Sequence, residues 1–323
     1  MISAGIYMGQ RFRQNRACKV SKERKALIVL SLALLVLGRP AFGEQAKKFK
    51  PGFHLKVAGG VFNAAIGDMN THLRSMNEYL RAYYQEEASG ETKALSRWAN
   101  EWQLEALWDI SPKFRWGLAV VLFTRFKNES TFFGADVREY RIDHEISFKP
   151  EIKLTVPAML SVYYSVYSSS RLNFFVHTGI GLYLATMKEE YNRNYIYPRG
   201  DVYYNRRFWS VESKANFGFH GGISLEYGLG RNMAFVCELQ GRYVRVKDLR
   251  GQVEYTTNFG SGRPIGEGGV LHFFGSSASY FDLDIPLPFH LGIPNEDDEY
   301  VERKAILNLN GFSLRFGLRV RIF

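Results

Sequence analysis

From Phe53 onward the chain alternates apolar and polar residues over stretches too long for ordinary globular strands. In 145–166, Ile146, Phe148, Ile152, Leu154, Val156, Leu160, Val162 and Tyr164 hold one parity. Glu145, Ser147, Lys149, Glu151, Lys153, Thr155 and Ser161 hold the other. A strand sends successive side chains to opposite faces, so such a run has one apolar and one polar face. This one runs 22 residues, whereas strands in globular domains usually have about 3–10. Pro150 and Pro157 interrupt it and predict a bulge, because proline cannot donate to a ladder.

The pattern recurs in 114–127, 172–187, 214–227 and 232–243, more weakly in 53–66 and 101–110, and finally in 305–323. That makes eight expected strands. Their connections sort by length: 111–113, 168–170 and 229–231 are tight turns, whereas 67–100, 128–143, 188–208 and 247–304 are long. Short and long alternate strictly. An even number of antiparallel strands with that alternation predicts an all-β transmembrane up-and-down barrel of about eight strands, with short periplasmic turns and long extracellular loops. A ring of strands can sit in lipid because every backbone group is bonded within it. A soluble β-sandwich needs neither strands this long nor loops sorted by length.

The N-terminal segment fits export. Lys22, Arg24 and Lys25 precede an apolar run over 26–37, Arg39-Pro40 breaks it, and Ala41-Phe42-Gly43 has the small-x-small form of a cleavage site. The run is too short for a membrane-spanning helix, which needs about 20 apolar residues. The expected organisation is therefore a signal peptide and N-terminal extension over 1–43, a periplasmic segment over 44–52, and a barrel over 53–323. Cleavage is expected near Gly43; an uncleaved anchor is the alternative, and a translation start near Val20 stays open. Residues 1–43 hold eight Lys/Arg against one acid, Glu23, and so carry seven of the ten net positive charges. The rest of the chain is nearly balanced, which argues against a nucleic-acid partner. Of two cysteines only Cys237 follows the leader, so no intrachain disulfide is expected there.

On the leader, the strand pattern and the C-terminal Phe323, the chain resembles the eight-stranded bacterial outer-membrane barrels of the OmpA, OmpX and OmpW type. The resemblance implies an outer-membrane location in a double-membraned bacterium, and contact with outer-membrane lipid including lipopolysaccharide. It also implies that the barrel-assembly machinery reads Phe323 as an assembly signal. One feature departs from the pattern: Phe312, Leu314, Phe316, Leu318, Val320 and Ile322 take the parity opposite to the terminal aromatic. The resemblance therefore carries over no catalytic or ligand position.

The polar parities name the expected lumen. Glu105, Arg115, Glu151, Lys153, Glu226, Glu238, Arg242, Arg315 and Arg319 form a candidate charge network. An eight-stranded barrel leaves an interior just wide enough for side chains, so opposite charges from different strands are expected to meet and plug it. No catalytic, metal or cofactor site is expected. His177 and His220 share the inner parity, and no histidine stands in a nucleophile–base motif. In the first long loop, Met69, Leu73, Met76, Leu80 and Tyr83 follow helical spacing; this face either rests on the barrel rim or caps the lumen and meets lipid A. The fourth loop carries Leu271, Phe273, Phe274, Tyr280 and Phe281, an expected extra hairpin, then the apolar stretch 286–291. The function expected is a structural or surface-interaction barrel with a plugged lumen. A pore or transporter for a small solute, hydrophobic solutes included, is the first alternative, and a lipid-modifying enzyme the second.

Overall fold

The computed structural model describes residues 50–137, 141–258, 265–274, 290–292 and 301–323. The expected leader, most of segment 44–52, and Tyr280, Phe281 and 286–289 lie outside the described residues. Eight strands form the framework: β1 (Phe53–Ala64), β2 (Trp98–Asp109), β3 (Phe114–Lys127), β4 (Ile142–Ser168), β5 (Leu172–Ile196), β6 (Asn216–Gly228), β7 (Met233–Tyr243) and β8 (Gly311–Arg321). Each pairs antiparallel with its neighbours in sequence, and β8 pairs back to β1. The ladder is a ring of up-and-down strands.

The register fixes the geometry of that ring. Starting at Ala64 and following paired residues gives Gly311, Arg242, His220, Gly179, Ser161, Gly117 and Leu107, and the path re-enters β1 at His54, ten residues from its start. Ten residues span about 33 Å along a strand, and eight strands at their usual spacing span about 38 Å. The ratio sets a strand tilt of about 40°, within the usual barrel range.

Eight is the number of the ring and not of the chain. The described residues hold eighteen strands, thirteen of them in one sheet. The extra strands come from segments expected to be loops. Ser130–Asp136 pairs with the far end of β4, and Val202–Glu212 with the far end of β5. Arg250–Thr257 then pairs with Val202–Glu212 on one side and Ile265–Val270 on the other. His272–Phe274 pairs with both His290–Gly292 and Val301–Lys304, a small sheet rather than a lone hairpin. Both β4 and β5, at 27 and 25 residues, run well beyond the ring. The last strand is shorter than its alternation, ending the 305–323 run at Gly311–Arg321.

Side-chain polarity inverts along the ring axis. Toward the short turns, Trp102, Leu104, Trp116, Leu118, Phe219, Leu314 and Phe316 are exposed, while Glu101, Gln103, Glu105, Glu238 and Arg315 are buried. Toward the long connections the ordinary order returns: Phe126, Ile152, Leu154 and Val156 are buried, and Arg125, Lys127, Lys149 and Lys153 are exposed. On β3 and β4 the switch falls at register shifts between Val121 and Thr124 and between Thr155 and Ala158. Extra residues in a bulge move all later side chains to the other face. Pro157 lies within the second shift. Glu151 and Lys153, expected in the lumen, consequently face outward.

Above the inversion an apolar core fills the ring. Helix α1 (Asp68–Tyr84) buries Met69, Leu73, Leu80 and Tyr84 there. They join Phe62, Phe126, Ile146, Phe148 and Met187 from four wall strands, and Leu271 from the fourth connection. Met76 and Tyr83 pack half-buried against the same core, so the spacing that predicted one helical face is the face that meets the wall.

A Cβ at Gly60 would strike the Leu314 carbonyl and the Arg315 Cα across the β1–β8 pairing, whereas nothing lies near Gly230 in its turn. Gly60→Ala is expected to lower stability by about 1–3 kcal/mol, and Gly230→Ala by less than about 0.5 kcal/mol. Urea unfolding followed by tryptophan fluorescence checks the difference.

Candidate functional site

Inward positions of seven ring strands bring their polar side chains into one packed network. Nearest the short turns, the Arg115 Nε donates to Asp109 at 2.7 Å and its Nη1 to Glu226 at 2.9 Å. Arg319 lies 3.0 Å from Glu226 and donates to His54 Nδ1 at 2.6 Å, and His54 Nε2 is 2.7 Å from Asp109. One level higher, Lys56 donates to Glu238 at 2.6 Å and to Tyr163 at 3.2 Å, and also pairs with Glu105. The Tyr163 hydroxyl donates to Glu105 at 2.9 Å. Arg315 pairs with Glu238, donates to Gln103, and donates to Gln240 at 2.6 Å. At the top of the polar zone Arg242 meets Glu101 at 2.7 Å.

The charges balance. Lys56, Arg115, Arg242, Arg315 and Arg319 face Glu101, Glu105, Asp109, Glu226 and Glu238, five of each sign. Glu101, Glu105 and Arg315 have no exposed surface. A buried charge is tolerated when it is paired and hydrogen-bonded, and costs several kcal/mol when it is not. Above the network lies the apolar core, so the axis of the ring is filled first by ion pairs and then by hydrocarbon.

The structure brings together Glu105, Arg115, Glu226, Glu238, Arg242, Arg315 and Arg319 of the sequence-predicted network. Glu151 and Lys153 stand on the outer wall, where Glu151 holds Arg125 at 2.7 Å. Sequence reasoning missed Glu101, Gln103 and Tyr163. The first two share the parity of Glu105 and Asp109, which was the available signal. Tyr163 shares the polar parity of Ser161, and only its aromatic ring kept it off a list drawn from charges. A Ser161–His220 contact of 2.9 Å joins residues 59 apart. Both are buried, and among the described residues the other ring nitrogen of His220 has no hydrogen-bond partner and no third group stands where it would orient a base. Phe323 is exposed; its ring stacks on Phe53 at 5.4 Å and its carbonyl accepts from the Phe53 N–H.

A second polar group lies above the inversion and ties α1 to the wall. His72 Nε2 is 3.0 Å from the Glu189 carboxylate, and Arg207 donates to the same carboxylate at 3.3 Å. Burial pushes the Glu189 carboxyl up, but His72 and Arg207 outweigh it and hold it at about 2, below the ordinary 4.5. At the helix start Asp68 receives both Nη atoms of Arg303 at 2.7 Å and the Ile306 N–H at 2.8 Å.

No family model and no curated protein matches the chain. Among solved structures it is similar to a major outer membrane protein from Thermus thermophilus, with 11% identity over 85% of this chain and 100% of that one, at a TM-score of 0.36. It is similar also to the outer membrane protein OprG from Pseudomonas aeruginosa, with 11% identity over 84% of this chain and 96% of that one, at a TM-score of 0.33. The architecture described above rests on the strand register alone.

Glu238→Gln leaves Lys56 and Arg315 with excess positive charge in a dry interior and is expected to cost about 3–5 kcal/mol. Glu91→Gln, which breaks the exposed pair with Lys93, is expected to cost less than about 1 kcal/mol. Urea unfolding at low and high salt separates them: salt leaves the first loss standing and erases the second.

The Glu189 carboxyl binds its proton less readily in the fold than in the unfolded chain. Its contribution is therefore complete above about pH 4.5 and is lost as pH falls toward 2. Glu189→Gln is expected to be less stable than the parent at neutral pH, with the gap closing across that window. Thermal melts followed by near-UV circular dichroism at stepped pH check the convergence.

Proposed function

We propose that the chain is an outer-membrane β-barrel, closed by the β8–β1 pairing, with a plugged lumen and a structural or surface-interaction role at its long-loop end. The observation that carries this reading is the exposed apolar belt around a polar interior, the reverse of a water-soluble fold. On β2 the belt runs from Trp98 to Trp108. Those ten steps cover about 33 Å of strand, or about 25 Å along the axis at a tilt of about 40°, which equals the apolar band of outer-membrane barrels. Aromatic residues mark its edges, Trp98, Phe217, Tyr243 and Phe312 toward the long connections and Trp108, Phe114, Tyr167 and Tyr227 toward the short turns.

The same reading takes 1–43 as an export leader cleaved near Gly43, and Phe323 as the residue the assembly machinery meets first. It sets the turns and both barrel termini in the periplasm, and α1 and the added strands at the cell surface. Outer-membrane lipid, including lipopolysaccharide, surrounds the belt. The filled axis favours a plug over the small-solute pore.

Single-channel recording of purified protein in planar bilayers is the direct test. The plugged barrel is expected to show no steady conductance step, and a steady step would favour the pore. Lipid exposure of the belt is tested on one strand face. Ile180→Arg is expected to cost about 2–4 kcal/mol in bilayers, whereas Glu190→Arg, ten residues along the same face and above the belt, is expected to shift stability by less than about 1 kcal/mol. Equal losses would reject the membrane level assigned to β5.

A further inference from the structure

We propose that the short-turn rim of the ring gathers anionic phospholipids of the periplasmic leaflet, with a phosphate at each tight turn, an inference that rests on the outer-membrane reading. Each tight turn supplies one cation and no acid: Lys113 and Arg231 end two of them, and Arg171 directly follows the third. All three residues are exposed. Where the chain ends meet, Lys50 is exposed and Arg321 stands beside the terminal carboxyl of Phe323, so two bases face one acid and the balance is again positive. Hydrogen bonds close the turns around their cations. Ser111 Oγ accepts from the Phe114 N–H at 3.0 Å, Ser169 Oγ from the Leu172 N–H at 3.1 Å, and the Met233 carbonyl from the Leu229 N–H at 2.9 Å.

The protein itself does not neutralise these turns. Among the described residues no carboxylate lies within ion-pair distance of Lys113, Arg171 or Arg231. The acids nearest the rim, Asp109 and Glu226, belong to the lumen. His54 and Arg115 hold Asp109 at 2.7 Å, and Arg115 and Arg319 hold Glu226 at 2.9 and 3.0 Å. Every exposed acid of the described residues stands toward the long connections. The wall there carries both signs, with Arg125 against Glu151, Lys149 against Glu129, and Lys188 beside Glu190 on one outward face. A rim shaped for solubility alone mixes its signs in that way, whereas a rim of one sign attracts the other.

The level of the cations points to a lipid as the source of the anion. Lys113 directly precedes Phe114, the Arg171 carbonyl accepts from the Gly228 N–H beside Tyr227, and Arg231 stands two residues before Met233. Phe114, Tyr227 and Met233 are exposed members of the apolar belt. One or two strand residues span about 3–7 Å, so each cation lies just outside the belt, at the depth of a headgroup. Acyl chains in contact with the belt bring a phosphate to that depth. A soluble anion gains only isolated exposed ion pairs there, which are worth little. Neighbouring turns are two strands apart, about 10 Å, close to the Debye length. Each cation therefore meets its own headgroup, and the rim collects a ring of lipids and not one molecule in a pocket.

The test uses the full-length protein in nanodiscs of phosphatidylglycerol in excess phosphatidylcholine. Lipids retained on transfer to detergent are counted by native mass spectrometry. Parent protein is expected to retain phosphatidylglycerol several-fold above its share of the disc, since each Lys or Arg near an anionic lipid surface favours it several-fold. Lys113→Gln/Arg171→Gln/Arg231→Gln is expected to bring the retained ratio close to that of the disc. Arg125→Gln/Lys127→Gln/Lys188→Gln removes as many charges from the opposite edge and is expected to keep the enrichment. No enrichment in the parent, full enrichment in the rim variant, or equal loss in both variants overturns the proposal. Complete displacement of the lipid by soluble peptidoglycan fragments assigns the rim to a wall polymer and likewise overturns it. If the rim variant loses its heat-modifiable gel migration, the single variants Lys113→Gln and Arg231→Gln decide, with a partial loss of enrichment expected from each. Absence of that migration in the parent would instead sink the barrel reading itself.

Discussion

The pairing of β8 with β1 is the constraint on which the rest of this structure depends. It removes the two free sheet edges that eight strands would otherwise leave, and so satisfies the backbone without water. The ten-residue displacement around the ring then sets the tilt, and the tilt sets both the height of the wall and the width of its interior. With strands this close there is room inside for side chains and little else. Every inward position is therefore a packing position, and a charge placed there must find its opposite within reach.

That requirement explains the arrangement of the lumen. Arg315 reaches Glu238 and Glu101, Lys56 reaches Glu238 and Glu105, and Arg115 reaches Asp109 and Glu226. Each of these cations shares two acids, and each pairing crosses from one strand to another. The network ends where Arg242 meets Glu101, and its guanidinium lies over the ring of Phe62 at 4.7 Å. From that level outward the protein obeys the opposite rule, with Phe126, Phe148 and the apolar face of α1 inside and lysines outside. The two bulges on β3 and β4 make the change possible without breaking either strand, since they turn the faces over while the ladder continues.

The eight ring strands were legible because their alternation is sustained and their turns are short. The inward placement of the seven residues that the structure brings together, from Glu105 to Arg319, follows from parity alone. What parity cannot count is a bulge: Glu151 and Lys153 carry the correct alternation for the lumen and miss it because Thr155–Ala158 shifts the register. Nor does it tell which strands face each other across the interior. The meeting of Glu101 with Arg242 depends on the displacement around the ring, which no single strand records. The extra strands were illegible for a different reason. Val202–Glu212 is pinned to β5 by pairing beyond the ring, and its own pattern of Tyr, Asn and Arg residues is too irregular to announce a strand.

Lys56 and Glu238, bonded at 2.6 Å, stand 182 residues apart. Lys56 has Glu105 beside it from the start, but its second acid comes with β7, and Glu101 meets Arg242 and Arg315 only with β7 and β8. A wall of the first six strands alone would be a charged trough open on one side. Assembly of this protein is thus a matter of timing: its interior is electrically complete only when its last strand docks, and a half-built wall leaves buried acid without its base.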